Sequence, residues 1–490
     1  MGSNLGLQAV RGAIWNIANS VGARIIGAIG SLIIARYISP DEYGAVMFAV
    51  LIVWSADEIT SFGLLQYIVA HPKAEQARIF HVSFFYLFFG LFGLFAAWML
   101  IDFWENFFKC STIHLYMPGM ILAVAFERVG KIADRVLAKD LRFAVTSLTR
   151  GIAELVYTGI AVTLAIVGFG GHAIIYGNIA QYAFFMGALV LATHIPEWFT
   201  PHRLSWKHTR AVFRFGLPLF MGDIANYASR NWDTLLLGRL FGQKTLGHYN
   251  YAYQLANIPA IHVGEHIGDV LLPTFARMDQ EERAFQLIRS TAMLALIVFP
   301  LAVGLGTIAH TLTYVLFDPR WHPLAPMLAV LSALSVTRPL GWTVTSYQVS
   351  RGQTGTVGSL EVGKVVILLS IMLALSPLGP VWTCAAAGIA FGLHALASIF
   401  AVKHADNIPV LNLLGGVVPP LLACIPMAAA VLAVRYLLRS LGFSSGVLSL
   451  VAEIGVGAIV YIPSALIIAH SVSRDFISLM KEAFNRKKAD

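Results

Sequence analysis

Apolar stretches of roughly membrane-spanning length recur along the whole chain, separated by short polar connections. A helix crossing a ~30 Å hydrocarbon core needs about 20 predominantly apolar residues. By that measure the pattern predicts six spans near 11–36, 45–70, 79–103, 113–137, 143–168 and 171–194. It predicts six more near 213–238, 248–275, 287–316, 323–348, 355–377 and 380–402, and a final two near 411–436 and 445–472. A faint copy of the first half recurs downstream. The segment SLIIARYISPDEYGAVMFA from Ser31 aligns without gaps on TLLLGRLFGQKTLGHYNYA from Thr234, so that Arg36 falls on Arg239, Gly44 on Gly247, Phe48 on Tyr251 and Ala49 on Ala252, each 203 residues apart. A second match sets Gly151 to Glu154 on Gly358 to Glu361, at an offset of 207. Internal symmetry of this kind marks a two-lobed carrier.

The expected fold is therefore an all-α polytopic membrane protein of about fourteen transmembrane helices, in two pseudo-symmetric six-helix lobes plus two C-terminal helices. The predicted organisation is an N-terminal lobe over 1–196, an interfacial linker over 197–212, a C-terminal lobe over 213–404, and two further spans with a basic tail over 405–490. The linker carries Trp198, Phe199 and Trp206 among basic residues, which fits a short helix lying on the membrane surface. The first apolar stretch is too long for a cleaved leader and reads as an anchor.

Composition agrees. Hydrophobic residues make up 57% of the 490-residue chain and charged residues 12%, about half the usual charged fraction of a soluble domain. The net charge of +8 is explained by topology rather than by a nucleic-acid partner. With the N-terminus cytoplasmic, the inner loops and tails hold 21 Lys and Arg, Lys131 and Arg135 among them, whereas the outer loops hold seven, including Arg435. That bias predicts a multi-pass inner-membrane protein with both termini in the cytoplasm. Cys110, Cys384 and Cys424 are scattered and read as core or lipid-facing residues, without metal or disulfide spacing.

Six basic residues remain within or near the ends of spans: Arg24, Arg128, Arg150, Arg230, Arg338 and Lys364. A central Arg or Lys costs about 2.5–3.5 kcal/mol on insertion scales, so such residues face a protein interior or a water-filled cavity. Asn16, Ser20, Arg24, Gly27 and Ser31 share one helical face, and so do Asp223, Asn226, Arg230 and Asp233 in the repeat-related seventh span. Two readings of Arg230 stay open: a cavity ligand, or a partner for Asp223 or Asp233 that holds helices together. Arg150 with Glu154, and Glu361 with Lys364, have the spacing of intrahelical ion pairs. Glu127, Arg128 and Lys131 either form a cavity mouth or snorkel to the headgroups. Asp57 and Glu58 in the second span, with Glu265 and Asp269 in the eighth, are candidates for ion coupling or for pairing with a neighbouring arginine. No Walker A, GxSxG, HExxH or Cys-x-x-Cys motif is present, so neither ATP hydrolysis nor covalent catalysis has a warrant in the sequence.

Five segments carry a resemblance. They are ARYISPDEYGAVMFA from Ala35, DEITSFGL from Asp57, RVLAKDLRFAVTSLTRGIAE from Arg135, DTLLLGRLFGQKTLGHYNYAYQLANIPA from Asp233 and DVLLPTFARM from Asp269. In their order and spacing the chain resembles the Wzx-type polysaccharide flippases of the MOP superfamily, and most of all their exopolysaccharide branch. The resemblance implies that oligosaccharide repeat units linked to undecaprenyl pyrophosphate move from the cytoplasmic to the periplasmic leaflet by alternating access. It also implies a monomer working beside a polysaccharide polymerase and a chain-length regulator, with no cofactor and with H+, Na+ or the product gradient as driving force. An anionic pyrophosphate needs arginines to replace its hydration, which points to Arg24 with Arg230, and to Arg128 or Arg150. Asn16, Asn19, Asn226 and Asn231 then meet sugar hydroxyls, and an apolar groove near the last two spans takes the prenyl tail. The rival from the same superfamily is a MATE-like antiporter of organic cations, which calls for an acidic, aromatic pocket. A membrane glycosyltransferase or ligase calls for a large outer loop or a catalytic carboxylate at a membrane face. A non-transporting scaffold leaves the charges within the spans without a purpose.

Overall fold

The computed structural model describes residues 22, 26–406, 408–442 and 446–486, with side chains described except at 197, 259–270, 273, 276, 339, 480 and 482–486. Every long element among these residues is a helix. A chain this apolar must satisfy its backbone within each segment, and a helix does so. Packing divides the chain into two compact units, Met1–Gly247 and His248–Asp490. The division falls one long helix later than the 197–212 linker expected from the repeat.

The first unit contains α1 (Ile26–Tyr37), α2 (Pro40–Ile59), α3 (Gln66–Ala70), α4 (Gln76–Met99), α5 (Ile101–Phe108), α6 (Ile113–Lys139), α7 (Phe143–Val167), α8 (His172–Ala192), the single turn α9 (Pro196–Phe199) and α10 (Trp206–Phe241). The start of α2 is set locally. Ser39 accepts a hydrogen bond from the Glu42 amide at 3.2 Å, Pro40 takes a first-turn position, and Asp41 and Glu42 face the positive helix end. The expected span at 45–70 is not one helix. It breaks between Ile59 and Gln66, where Phe62 and Gly63 both adopt positive φ (48° and 60°). Two successive left-handed residues cannot continue a right-handed helix. The corner packs against α10 so closely that a Cβ on Gly216 would strike the Phe62 carbonyl.

The long polar connection holds only the turn of α9, and its Trp198 faces the protein core. That side chain is 4% exposed and packs with Leu64, Ile68, Ile79 and Val136, while Phe199 and Trp206 are exposed.

In the second unit are α11 (Gln243–Ala276, whose first five residues belong to the first unit), α12 (Gln280–Leu316), α13 (Leu324–Leu334), α14 (Arg338–Ser350), α15 (Thr354–Leu375), α16 (Pro380–Asp406), α17 (Val410–Ser440), α18 (Val447–Ile468) and α19 (His470–Arg486). The tenth expected span, 323–348, is α13 and α14 joined by a 3-10 turn over Ser335–Thr337. Among the described residues, nine helical stretches are long and apolar enough to cross a membrane. Cys110, Cys384 and Cys424 are all buried and outside any disulfide.

One close contact within the first unit has the symmetry of the repeat. A Cβ on Gly44 would overlap the Gln243 carbonyl, and a Cβ on Gly247 would overlap the Pro40 carbonyl. Pro40 and Gln243 are themselves 203 residues apart, as are the two glycines. Side chains reinforce the contact, because Gln243 donates to Asp41 Oδ2 and accepts from the Cys110 thiol, both at 2.7 Å. Replacing Gly44 with Val should separate the two backbones and destabilise the protein by roughly 1–3 kcal/mol. Thermal unfolding of the detergent-solubilised protein checks this, and an unchanged midpoint would show that the contact is not tight.

Candidate functional site

The broken helix places charge beside a cavity. The last turns of α2 present Asp57 and Glu58, and the first residue of α3 presents Gln66. From α6 come Lys131 and Arg135, and from α10 come Asp223, Asn226, Arg230 and Asn231. Together with Tyr86 and Tyr227 they line a cavity of about 380 Å³ within the first unit. Arg135, Asn226 and Arg230 are exposed to it, while Glu58, Lys131 and Asp223 are half-buried. The wall thus holds three cationic and three carboxylate side chains among amides and phenols.

Behind the wall lies Arg128, which is fully buried. Its Nε donates to Asp57 Oδ1, its Nη1 to the Tyr86 carbonyl at 2.5 Å, and its Nη2 to the Asp57 carbonyl at 2.6 Å and to Thr60 Oγ1 at 2.9 Å. The guanidinium also sits 4.4 Å from the centre of the Tyr86 ring. Gly90 makes the room, since a Cβ there would overlap the guanidinium. Arg128 therefore neutralises Asp57 and joins the Thr60 hydroxyl in capping the Asp57 carbonyl at the end of α2. Four of its five N–H donors are spent on protein acceptors, so in this structure Arg128 stands behind the cavity wall and not among the groups that line it. Nor does it snorkel, because no part of it reaches the surface. Lys131 lies 3.2 Å from Asp57 Oδ2 and 3.1 Å from Glu127 Oε1, bridging the same carboxylate into the cavity.

Six residues expected from the sequence meet here: Asp57, Glu58, Asp223, Asn226, Arg230 and Asn231. Asp223 accepts from Gln66 Nε2 at 2.8 Å. Asp233 shares their helix but is fully buried, its Oδ1 accepting from the Thr234 amide at 2.7 Å. Lys131, expected either at a cavity mouth or snorkelling, lines the cavity, and so does Arg135, which the charge count had placed in an inner loop; both lie on α6. Their signal was the spacing of Arg128, Lys131 and Arg135, at steps of three and four, which sets all three on one helical face.

Other expected residues lie elsewhere or fall outside the description. Arg150 does not pair with Glu154. It reaches Asp134 on α6 at 2.7 Å, and its side chain is 60% exposed. Glu154 accepts from Gln181 on α8 at 3.1 Å and lies against Gly27 of α1. A tertiary partner has displaced the helical neighbour in both cases. Asn16, Asn19 and Arg24 lie outside the described residues, as do the side chains of Glu265 and Asp269 on α11.

The second unit carries its own charges. Lys364 lies 2.5 Å from Glu361, as expected, and His394 Nε2 lies 3.4 Å from the same carboxylate. Arg338 donates to Asn257 and stacks over Phe391 and Tyr253 at 4.6 and 5.2 Å. Arg435, counted among outer-loop residues from the sequence, belongs to α17. It pairs with the buried Glu453 of α18 at 2.8 Å, and Thr311 of α12 donates to that carboxylate at 2.7 Å. No cluster of three or more His, Cys, Asp or Glu suited to a metal ion occurs among the described residues.

A family model described as "Polysaccharide biosynthesis protein" matches residues 33–326, which include the whole cavity. The chain belongs to this polysaccharide biosynthesis family. Among its relatives, the succinoglycan biosynthesis transport protein ExoT of Rhizobium meliloti (strain 1021) is 25% identical over 489 residues, covering 95% of this chain and 94% of its own. The lipopolysaccharide biosynthesis protein WzxC of Escherichia coli (strain K12) is 22% identical over 367 residues, covering 74% of each. Among solved structures, the lipid II flippase MurJ in an inward closed conformation superposes with a TM-score of 0.74 at 15% identity, over 95% of this chain and 100% of that one. An inward-facing MATE transporter of the MOP superfamily gives 0.60 at 14% identity, over 78% and 94%. The fold of this polysaccharide biosynthesis family member is thus the one shared by MurJ and the MATE transporters.

The Arg128–Asp57 pair makes a clear prediction. Asp57→Ala leaves a buried guanidinium without its counter-charge and should cost about 3–5 kcal/mol, whereas Asp57→Ala with Arg128→Met should recover most of that loss. Membrane yield and thermal unfolding of the three variants test this. A single Asp57→Ala variant as stable as the parent would exclude the structural role given to the pair.

Proposed function

We propose that this chain is a flippase that carries lipid-linked oligosaccharide repeat units across a bacterial inner membrane for polysaccharide biosynthesis. The observation that carries the reading is the cavity wall of Lys131, Arg135 and Arg230 among the amides of Gln66, Asn226 and Asn231, in a chain whose relatives are named for polysaccharide biosynthesis and transport. Cations and amides are the groups that replace the hydration of a pyrophosphate and of sugar hydroxyls. The carrier lipid is undecaprenyl pyrophosphate. Movement is by alternating access between two repeat-related lobes with fourteen crossings and both termini in the cytoplasm, and the product passes to a polymerase and its chain-length regulator.

The MATE-like alternative is the weaker reading. A carrier of organic cations needs an excess of carboxylates, and this wall has as many cations as carboxylates. Its balance suggests how the cargo is coupled. Among the described residues, Asp57 is held by Arg128 and Lys131, whereas Glu58 and Asp223 make no ion pair within 4 Å. A proton or sodium ion on either of these two carboxylates leaves the cavity net positive, so cation entry favours entry of the pyrophosphate. The protein works as a carrier and not as an enzyme.

Arg230→Ala should reduce polysaccharide export by about tenfold or more, the factor expected for one lost charge-assisted hydrogen bond to a phosphate. Membrane insertion should be unchanged. The decisive experiment deletes the gene in its host and assigns the undecaprenyl-linked sugars to one membrane leaflet. Complete repeat units accumulating on the inner leaflet support the flippase. Unaltered lipid-linked pools, with a new sensitivity to cationic drugs, move the reading to an antiporter.

A further inference from the structure

After the apolar span of α18 the chain turns at the buried Ala469 and continues as the amphipathic helix α19. One face of α19 is fixed to the protein. Val472 and Phe476 pack with Ala292 and Leu296 of α12 and with Ala423 of α17, Ser473 donates to the Ala465 carbonyl at 2.9 Å, and Asp475 pairs with Arg289 at 3.3 Å. The opposite face is open and mixed in character. His470, Arg474 and Lys481 recur there at steps of four and seven, with Ile477 and Ser478 between them and Leu466 of α18 alongside. These six residues surround a groove of about 280 Å³. Arg474 is held in it by a 2.9 Å contact between Nη2 and His470 Nε2, while Arg474, Lys481, Ile477 and Leu466 are all exposed.

We infer that this groove is a binding site for an anionic phospholipid of the surrounding bilayer. A groove at the end of a membrane span, where the chain turns, meets the headgroup layer. Two cations in it, Arg474 held by His470 and Lys481 exposed, complement a phosphodiester, and the exposed Leu466 and Ile477 continue the surface onto which acyl chains pack. A soluble anion would gain the cations but leave the leucine and isoleucine in water. A neutral lipid would gain the apolar contact but lack a net negative charge to answer Arg474 and Lys481. The site lies wholly on α18 and α19, so the inference depends on the membrane placement of α18 and not on what is transported.

The test titrates the full-length purified protein with phosphatidylglycerol and with phosphatidylcholine, following bound lipid by native mass spectrometry. Phosphatidylglycerol should bind in preference, and Arg474→Ala with Lys481→Ala should weaken it by roughly tenfold or more. Arg474→Lys with Lys481→Arg should preserve binding. Ser478→Glu, which gives up only the serine's bond to the Asp475 carbonyl of its own helix and adds a negative charge to the groove, should weaken it. Arg203→Ala with Lys207→Ala removes the same charge from exposed positions elsewhere and should leave binding intact. Equal affinity for the two lipids would overturn the inference, and so would an equal loss in the Arg203 and Lys207 variant. Displacement of phosphatidylglycerol by inorganic phosphate at equal concentration, or by a prenyl pyrophosphate in preference, would overturn it as well.

Discussion

A buried arginine organises the first unit. An unpaired guanidinium in a low-dielectric interior is prohibitively unfavourable, so Arg128 has to be surrounded by acceptors before the helices around it can close. Those acceptors come from three directions: the Asp57 carboxylate, the backbone ends of α2 and Tyr86, and the Thr60 hydroxyl. They hold the last turn of α2 in place, and the left-handed Phe62 and Gly63 just beyond it bring Gln66 to the same cavity as Glu58. Tight glycine contacts at positions 63, 90 and 216 let the backbones approach closely enough for this to happen. Burial of one charge and a local backbone turn thus act together in placing the polar wall.

The sequence carried a large part of this in readable form. Helices were legible because twenty apolar residues in a row have few alternatives, and the polar stripe on α10 was legible because Asp223, Asn226 and Arg230 keep helical spacing through an apolar segment. Arg135 was missed for a reason of principle. A rule that assigns basic residues near a span end to the nearest loop cannot distinguish a side chain facing headgroups from one facing an internal cavity. Arg435 failed in the same way, since its partner Glu453 is on another helix. The break in α2 was hidden because a hydropathy window averages over Thr60 to Leu65, where apolar residues flank the two left-handed ones. Arg150 and Glu154 show the limit of helical spacing as evidence: an i,i+4 pair contributes only a few tenths of a kcal/mol, and Asp134 and Gln181 provide better partners.

Charge balance in the cavity ties these observations to the proposed activity. A strongly basic pocket would hold a pyrophosphate too firmly to release it, and a strongly acidic one would never admit it. With Asp57 already committed to Arg128, the proposed coupling to a small cation rests on Glu58 and Asp223. Affinity for the cargo can then change with the state of the carrier, without any residue leaving the site.

The reciprocal contact of Gly44 with Gln243 and of Gly247 with Pro40 ties together the first turns of α2 and α11. The two close approaches are neighbours, since a Cβ on Gly247 would also meet the Gly44 amide nitrogen. A side chain at either glycine would therefore act as a wedge on both. The first unit is in this respect a loop of chain fastened at its two ends, and the fastening holds only while both positions stay bare.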